Sequence, residues 1–160
     1  MNLSASVARR PTDFLWVFLC WAPAAWIAAI FVWYLQYKFT DHPGSTYLFT
    51  ILTDWLGFHG HEKVMRIGTG ALELIASVLL FIRPTQLIGA ALAWAIMTGA
   101  IFFHLASPLG IDPYNDGGVL FKQAISVWVS ALVVLWVRRA EVRPIARALV
   151  RWLNAVGRAL

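Results

Sequence analysis

The chain of 160 residues is 60% hydrophobic and only 13% charged, and its mean hydropathy is +0.69. So few charged residues cannot cover a water-facing surface, and the composition therefore excludes an ordinary soluble domain. The net charge of +5 comes largely from residues that flank the predicted membrane spans, where they attract anionic lipid, and does not indicate a partner nucleic acid. We expect one all-α domain, residues 1–160, that lies in the lipid bilayer as an integral membrane four-helix bundle.

Residues 14–37 form the first predicted membrane span, since this apolar run exceeds the ~20 residues that cross a hydrocarbon core about 30 Å thick. The run is longer than the core of a cleaved signal peptide and lacks a clear cleavage site, so we interpret it as an anchor. Pro23 is expected to kink this helix after Ala22 or to be accommodated by neighbouring helices. Cys20 is the single cysteine, which argues against a thiol–disulfide relay within the chain.

A short amphipathic helix is predicted over residues 45–56, in the loop that follows the first span. Its apolar residues recur at helical spacing, Ser45 is a typical N-cap, and Gly57 is a typical helix stop. We expect this helix to lie at the membrane interface and to cover the outer end of the bundle.

Three further apolar runs, residues 64–82, 87–105 and 119–137, have the length of membrane spans. The connection over residues 83–85 is so short that the second and third spans must be antiparallel neighbours. Residues 143–157 place arginines on one helix face and apolar side chains on the other. This pattern predicts a basic amphipathic helix on the inner leaflet, with a docking helix for a partner protein as the alternative.

The arginines are distributed unevenly about the four predicted spans. Nine of them fall on the side that also carries both termini: Arg9, Arg10, Arg83, Arg138, Arg139, Arg143, Arg147, Arg151 and Arg158. The positive-inside rule therefore predicts that both termini are cytoplasmic, and we expect the protein in a bacterial inner (cytoplasmic) membrane.

Polar residues in the second span recur at intervals of three or four, so they share one helix face. They include Glu62, Arg66, Glu73 and Ser77. A carboxylate near the middle of a span costs several kcal/mol unless it is neutral or paired, which makes Glu73 the first candidate for a functional site. The polar face must point into the bundle, because lipid could not satisfy these groups.

We expect a cleft that opens outward, with Glu73 at its floor and with Lys38, Arg66, His104 and Lys122 around its mouth. Arg66, Lys38 and His104 would be the partners of the carboxylate. The cleft suits a proton-handling or ligand-binding site, or a quinone head that bonds to His104 and Glu73. The structural alternative is an ion-pair network between helices, with snorkelling lysines and His104 as a polar cap.

His59 and His61, with Glu62 and with Asp54 or His104, are weak candidates for a metal site, since a metal needs three or four convergent ligands. A membrane haem is less favoured, because only His104 lies near a span. The sequence contains no Gly-rich phosphate loop, and we assign no catalytic residue.

Residues 70–89, GALELIASVLLFIRPTQLIG, and the sequence AIFFH that ends at His104 resemble the DoxX-like membrane proteins. That family is a four-span bundle with a glutamate after a glycine in the second span, a short turn, and a third span rich in small residues that often ends in histidine. Its first span often closes with Phe-x-x-x-Gly-x-x-Lys. Here Phe31 and Lys38 keep that spacing, and Leu35 stands in place of the glycine.

The resemblance covers about residues 14–137 and implies the four-span fold. One branch of the family resembles a small subunit of thiosulfate:quinone oxidoreductase, which implies an accessory subunit of a quinone-linked redox assembly. No redox centre is visible in the sequence, so electron transfer would require a partner membrane protein. We expect no intrinsic cofactor and no catalysis by the chain alone, with quinone, lipid or another small ligand in the cleft.

Two alternatives remain open at this point. The chain could be a non-catalytic scaffold or assembly subunit of a larger membrane complex, in which buried charges only fix the register of the helices. It could also be a small proton-coupled carrier, which would require a homo-oligomer.

Overall fold

The computed structural model describes residues 11–141, with side chains from residue 15 onward. Every regular element in this range is helical. Two short 3-10 turns, Arg83–Thr85 and Arg139–Glu141, accompany five α-helices: α1 Pro11–Phe39, α2 Pro43–Trp55, α3 Glu62–Phe81, α4 Gln86–Ala106 and α5 Val119–Val137. The all-α class is therefore confirmed for the described residues.

Four of these helices, α1, α3, α4 and α5, are long and apolar enough to cross a membrane, with mean hydropathies between 1.7 and 2.1. Large apolar side chains cover their outward faces, and Val64, for example, is 71% exposed. Such a surface suits lipid rather than water. The prediction of four apolar helices of membrane-spanning length is confirmed, and they indicate an integral membrane protein.

The four long helices form a closed bundle in which α1 and α4 each pack against both α3 and α5. The order around the bundle is therefore α1, α3, α4, α5. The Arg83–Thr85 turn joins α3 to α4, which are neighbours, as its shortness requires. We call the end that carries this turn the turn end, and the opposite end, which carries α2, the cap end.

The turn half of the bundle has a dense core of small and branched residues. Its fully buried side chains include Ala24, Ala76, Leu80, Ala90, Ala131 and Val134. Gly89 allows the closest approach, because a Cβ there would lie 2.8 Å from the backbone nitrogen of Leu80 and 2.9 Å from Cβ of Leu79. Small residues thus bring α3 and α4 into direct backbone contact.

The proline in α1 is accommodated within the helix. α1 continues through Pro23, which lacks an N–H and weakens the hydrogen-bond ladder in the preceding turn. In that turn the carbonyl of Cys20 accepts a hydrogen bond of 3.2 Å from Nε2 of the fully buried Gln86 on α4. A neighbouring helix therefore satisfies a backbone group near the proline.

The helix α2 begins two residues before the predicted N-cap. His42 is the N-cap, and its Nδ1 accepts a 3.2 Å hydrogen bond from the backbone N–H of Gly44. The earlier start reflects Pro43, because proline is favoured in the first helical turn. Gly57 follows the helix with a φ of +79°, a conformation typical of a helix stop.

The helix α2 packs mainly on α3; its placement at a membrane interface stays a prediction. The amphipathic helix predicted over residues 143–157 lies outside the described residues.

Candidate functional site

The cap half of the bundle encloses a cavity of about 550 Å³ that all five helices line. Its walls are mainly apolar and aromatic, and they include Ile30, Phe31, Trp33, Leu48, Phe49, Leu52, Ile96, Met97 and Phe103. A small number of polar side chains also reach it, chiefly Lys38, Glu73, His104, Tyr34 and Gln123. This volume and this lining are typical of a small-molecule site.

The buried Glu73 and the partly buried Lys38 form an ion pair in the cavity wall. Nζ of Lys38 lies 2.8 Å from Oε2 of Glu73, and Glu73 is 4% exposed. Gly70 makes the contact possible from one helical turn away, since a Cβ there would lie 3.2 Å from the Phe39 ring and 3.4 Å from Cβ of Lys38. The end of α1 therefore packs tightly on α3, and the lysine points inward.

The carboxylate of Glu73 keeps hydrogen-bonding capacity that the described residues do not use. Its Oε2 is fully buried and lies 2.8 Å from the ammonium of Lys38, and no other group in this part of the chain donates to the carboxylate. Ser77 donates a 2.8 Å hydrogen bond to the backbone carbonyl of Glu73 and leaves the carboxylate free. An ionised carboxylate accepts at about four positions, so a ligand in the cavity could still bond to it.

Arg66 is not a partner of Glu73, which corrects the expectation from the sequence. Its Nε donates to Oε2 of Glu62 at 3.0 Å, and its guanidinium also donates to the carboxylate of Asp41 and to the carbonyl of Lys38. Arg66 is 1% exposed and lies outside the cavity wall. Two helical turns, about 10 Å, separate it from Glu73 along α3, and its side chain satisfies a carbonyl at the end of α1 instead.

The same arginine affects the ionisation of Asp41 in the loop after α1. The hydrogen bond from Arg66, followed by the nearby charge of Lys63, lowers the pKa of the Asp41 carboxyl. Asp41 therefore stays ionised and holds the guanidinium at the cap end.

The other candidates from the sequence lie in three different environments. His104 lines the cavity, and its Nδ1 donates to the carbonyl of Gly110 at 2.6 Å, which anchors the loop after α4. The donor must be Nδ1–H because a carbonyl only accepts. Ser77 is buried below the cavity, and Lys122 is exposed and outside it. Of the six candidates, the structure thus brings together Glu73, Lys38 and His104.

Several lining residues were missing from the candidates. The Tyr34 hydroxyl donates to Oε1 of Gln123 and so links α1 to α5, and the Tyr114 hydroxyl donates to the carbonyl of Gly44 at 2.8 Å. Tyr34 precedes Lys38 by one helical turn and shares its face, so helical periodicity already places it near the site. Tyr114 lies in an irregular loop, where no periodicity reveals the direction of a side chain.

The pKa of the Tyr114 hydroxyl is shifted from its ordinary value. Although 40% of the residue remains exposed, burial at its hydrogen-bonded end, followed by the nearby Tyr34 and Asp116, raises the pKa of Tyr114 to about 12. Its hydroxyl thus remains a donor that fastens the loop before α5 to the start of α2.

The two histidines considered for a metal lie outside the cavity. Nδ1 of His59 is 2.9 Å from Oδ1 of Asp54, and Nδ1 of His61 is 2.9 Å from the carbonyl of His59. Over residues 11–141, no group of three or more His, Cys, Asp or Glu side chains converges as metal ligands would.

The cavity combines a hydrocarbon-like wall with adjacent donor and acceptor groups of opposite charge. The ammonium of Lys38 can donate and the carboxylate of Glu73 can accept, so a ligand head could use both at one point. Aromatic rings of Trp33, Tyr34 and Tyr37 lie along the α1 side and suit a flat apolar group. The arrangement therefore fits an amphipathic molecule with a compact polar head.

No family model, curated protein or solved structure matches this chain. The likeness to the DoxX-like proteins therefore rests on the sequence of residues 70–104, on Phe31 and on Lys38.

Proposed function

We propose that this protein is a DoxX-like integral membrane subunit that binds a quinone-type head group in its cavity and serves a redox assembly as an accessory component. The observation that carries the proposal is the cavity of about 550 Å³ with the Lys38–Glu73 ion pair in its wall. Removing charged groups from water costs free energy, and charged residues within a membrane-spanning segment therefore often mark a functional site. Their position at a cavity favours function.

A quinone head suits these groups in both of its oxidation states. The oxidised ring carries carbonyl oxygens that accept hydrogen bonds, and Lys38 supplies a donor. The reduced ring carries hydroxyl groups that donate, and the carboxylate of Glu73 supplies an acceptor. The aromatic side chains of α1 suit the flat ring.

The chain itself offers few groups that could carry electrons, since Cys20 is its single cysteine and no group of three or more His, Cys, Asp or Glu side chains converges within residues 11–141. A partner protein would exchange electrons with the bound quinone. This chain would hold the head, orient it and keep it apart from water, which is an accessory role.

The distribution of charge supports one orientation of the protein in the membrane. Arg83, Arg138 and Arg139 lie at the turn end, whereas the cap end carries acidic residues such as Asp41 and Asp112 beside its cations. By the positive-inside rule the turn end faces the cytoplasm of a bacterium, with both termini on that side. The cavity then lies in the outer half of the inner membrane.

The proposal is tested by binding of a benzoquinone with a decyl tail to the purified protein in phosphatidylcholine nanodiscs. Glu73→Gln is expected to weaken binding of the reduced probe by about tenfold, or about 1.4 kcal/mol, because it removes a charged acceptor. Asp54→Asn, an exposed carboxylate outside the cavity, is the matched control and should leave affinity unchanged. Absence of binding to the wild-type protein would overturn the proposal.

The scaffold alternative is favoured by one observation, the Arg66 network. It joins the end of α1 to α3 outside the cavity and needs no ligand. Native mass spectrometry of the gently extracted complex separates the two functions. A co-purified redox protein or quinone supports the accessory subunit, and a complex without either supports the scaffold.

A further inference from the structure

The contact between α3 and α4 changes along its length. Near the turn end, a Cβ at Gly89 would lie within 3.0 Å of three atoms of α3. Near the cap end, a Cβ at Gly99 would meet no atom within 4 Å. Gly89 thus marks a closed contact, whereas Gly99, which lines the cavity, has open space beside it.

The gap belongs to the cavity. On α3 its wall is formed by Met65, Thr69 and Leu72, and on α4 by Ala95 and Gly99. The residues of each set are three or four positions apart, so each set forms one stripe along its helix. Leu72 is 45% exposed and Ala95 is also exposed, so the cavity wall meets the outer surface here.

The depth of this opening places it in lipid. Leu72 lies ten residues after Glu62, the first residue of α3, which corresponds to about 15 Å at 1.5 Å per residue. The hydrocarbon core is about 30 Å thick, so the opening is near its middle. The next residue, Glu73, carries the buried carboxylate, and a head held there would lie beside the gap.

The cap end offers a poorer exit for an apolar group. There α2 covers the bundle and contributes Leu48, Phe49 and Leu52 to the cavity wall, with Phe49 and Leu52 buried. A hydrocarbon chain that left in this direction would enter the polar region at the bilayer surface, which is unfavourable.

We propose that the gap between α3 and α4 is a side portal through which the hydrocarbon tail of a bound ligand passes into the bilayer. The ligand class is then a lipid-like molecule with a small polar head beside the Lys38–Glu73 pair and a long apolar tail, as in an isoprenoid quinone. The inference rests on the proposed function. It adds the path by which the ligand enters the cavity and the requirement that the ligand carry a hydrocarbon tail.

The test compares two glycine variants and two probes. Gly99→Trp fills the gap, and Gly68→Trp is the matched control, since Gly68 is an exposed glycine of α3 that also lacks neighbours within 4 Å and lies outside the cavity. The probes are a tritiated benzoquinone with a decyl tail and the same head without a tail. Binding is measured by scintillation proximity in phosphatidylcholine nanodiscs, with empty nanodiscs subtracted.

Gly99→Trp should weaken binding of the tailed probe by at least about tenfold, which is about 1.4 kcal/mol, because the tail loses its exit. The tail-less probe should bind both variants as it binds the wild-type protein. If Gly99→Trp does not fold, Ala95→Phe replaces it, with the exposed Ala91→Phe of the same helix as control.

The outcomes separate this inference from the proposed function. Unchanged binding of both probes to Gly99→Trp would overturn the portal and leave the head site in place. Equal weakening of both probes would also overturn it, because the obstruction would then act on the head. Failure of the wild-type protein to bind either probe would overturn the proposed function and the portal with it.

Discussion

The two halves of the bundle use similar small residues for opposite purposes. In the turn half, Gly89 and Ala93 bring helices together, and the core is dense and apolar. In the cap half, Gly99 and Ala100 lie on the same helix and line a cavity. A small residue therefore indicates a close approach only where a neighbouring helix fills the space that it leaves.

The packing of α2 contributes to this difference between the dense turn half and the cavity in the cap half. Its Phe49 and Leu52 are buried at the cap end, and Trp55 lies about 6 Å, centroid to centroid, from the rings of Phe102 and Phe103 on α4. The turn half has only a three-residue connection between α3 and α4. An additional element at one end supplies a wall for the cavity, and the short turn at the other end keeps the helices together.

The strongest test of the comparison removes one member of the ion pair. Lys38→Met leaves the carboxylate of Glu73 buried without its cation and should lower the free energy of unfolding by about 3–5 kcal/mol. The double variant Lys38→Met/Glu73→Leu should regain most of this loss, because an apolar pair replaces both charges. Thermal unfolding in detergent measures both effects.

The exposed Lys122→Met is the control and should change stability by less than about 0.5 kcal/mol. A Lys38→Met protein as stable as this control would show that the ion pair does not hold the cap half together.

A second test replaces each of two glycines of α4 with alanine. Gly89→Ala should destabilise the protein by about 1–3 kcal/mol, because its Cβ would press on backbone atoms of α3. Gly99→Ala should be neutral or stabilising by up to about 1 kcal/mol, since alanine favours the helix and the gap has room. Equal effects in thermal unfolding would contradict the contrast between the halves.

The smallest expected effect concerns pH and the cap end. The pKa of Asp41 is lowered in the folded protein, so its contribution to stability is present above the unfolded pKa, about 3.9. That contribution is lost as pH falls through the lower folded value. The difference in Tm between the wild-type protein and Asp41→Asn should therefore shrink below about pH 4.

A double-mutant cycle checks the cause of this pH dependence. In an Arg66→Gln background, Asp41→Asn should produce no such difference, because the main partner of the carboxylate is absent. A difference of unchanged size would assign the effect to groups other than Arg66.

Much of the fold could be predicted because hydrophobic length is a strong signal. The apolar runs correspond to the four long helices within about three residues at each end, and proline and glycine mark the limits of α2. The interior direction of the polar stripe on α3 also followed from elementary physics, since Glu73 could not face lipid, and Arg66, Glu73 and Ser77 are indeed buried.

The site was predictable only in part, because contacts between helices depend on how each helix is rotated about its axis and shifted along it. Arg66, Lys38 and His104 were the expected partners of Glu73. The tight contact at Gly70 brings Lys38 to the carboxylate, whereas Arg66 pairs with Glu62 and Asp41. The sequence does not show which atoms surround Gly89 or Gly99, because that depends on how the neighbouring helix packs. The contribution of Tyr114 depends on an irregular loop.

The Lys38–Glu73 pair also bears on how the protein is made. Lys38 leaves the ribosome before Glu73, so the cation is already at the membrane when the second span emerges with its carboxylate. Because α1 and α3 are neighbours, Glu73 can be neutralised as it enters and need not meet lipid alone, where it would be costly. The order of residues along the chain thus provides the carboxylate of Glu73 with a partner that is inserted before it.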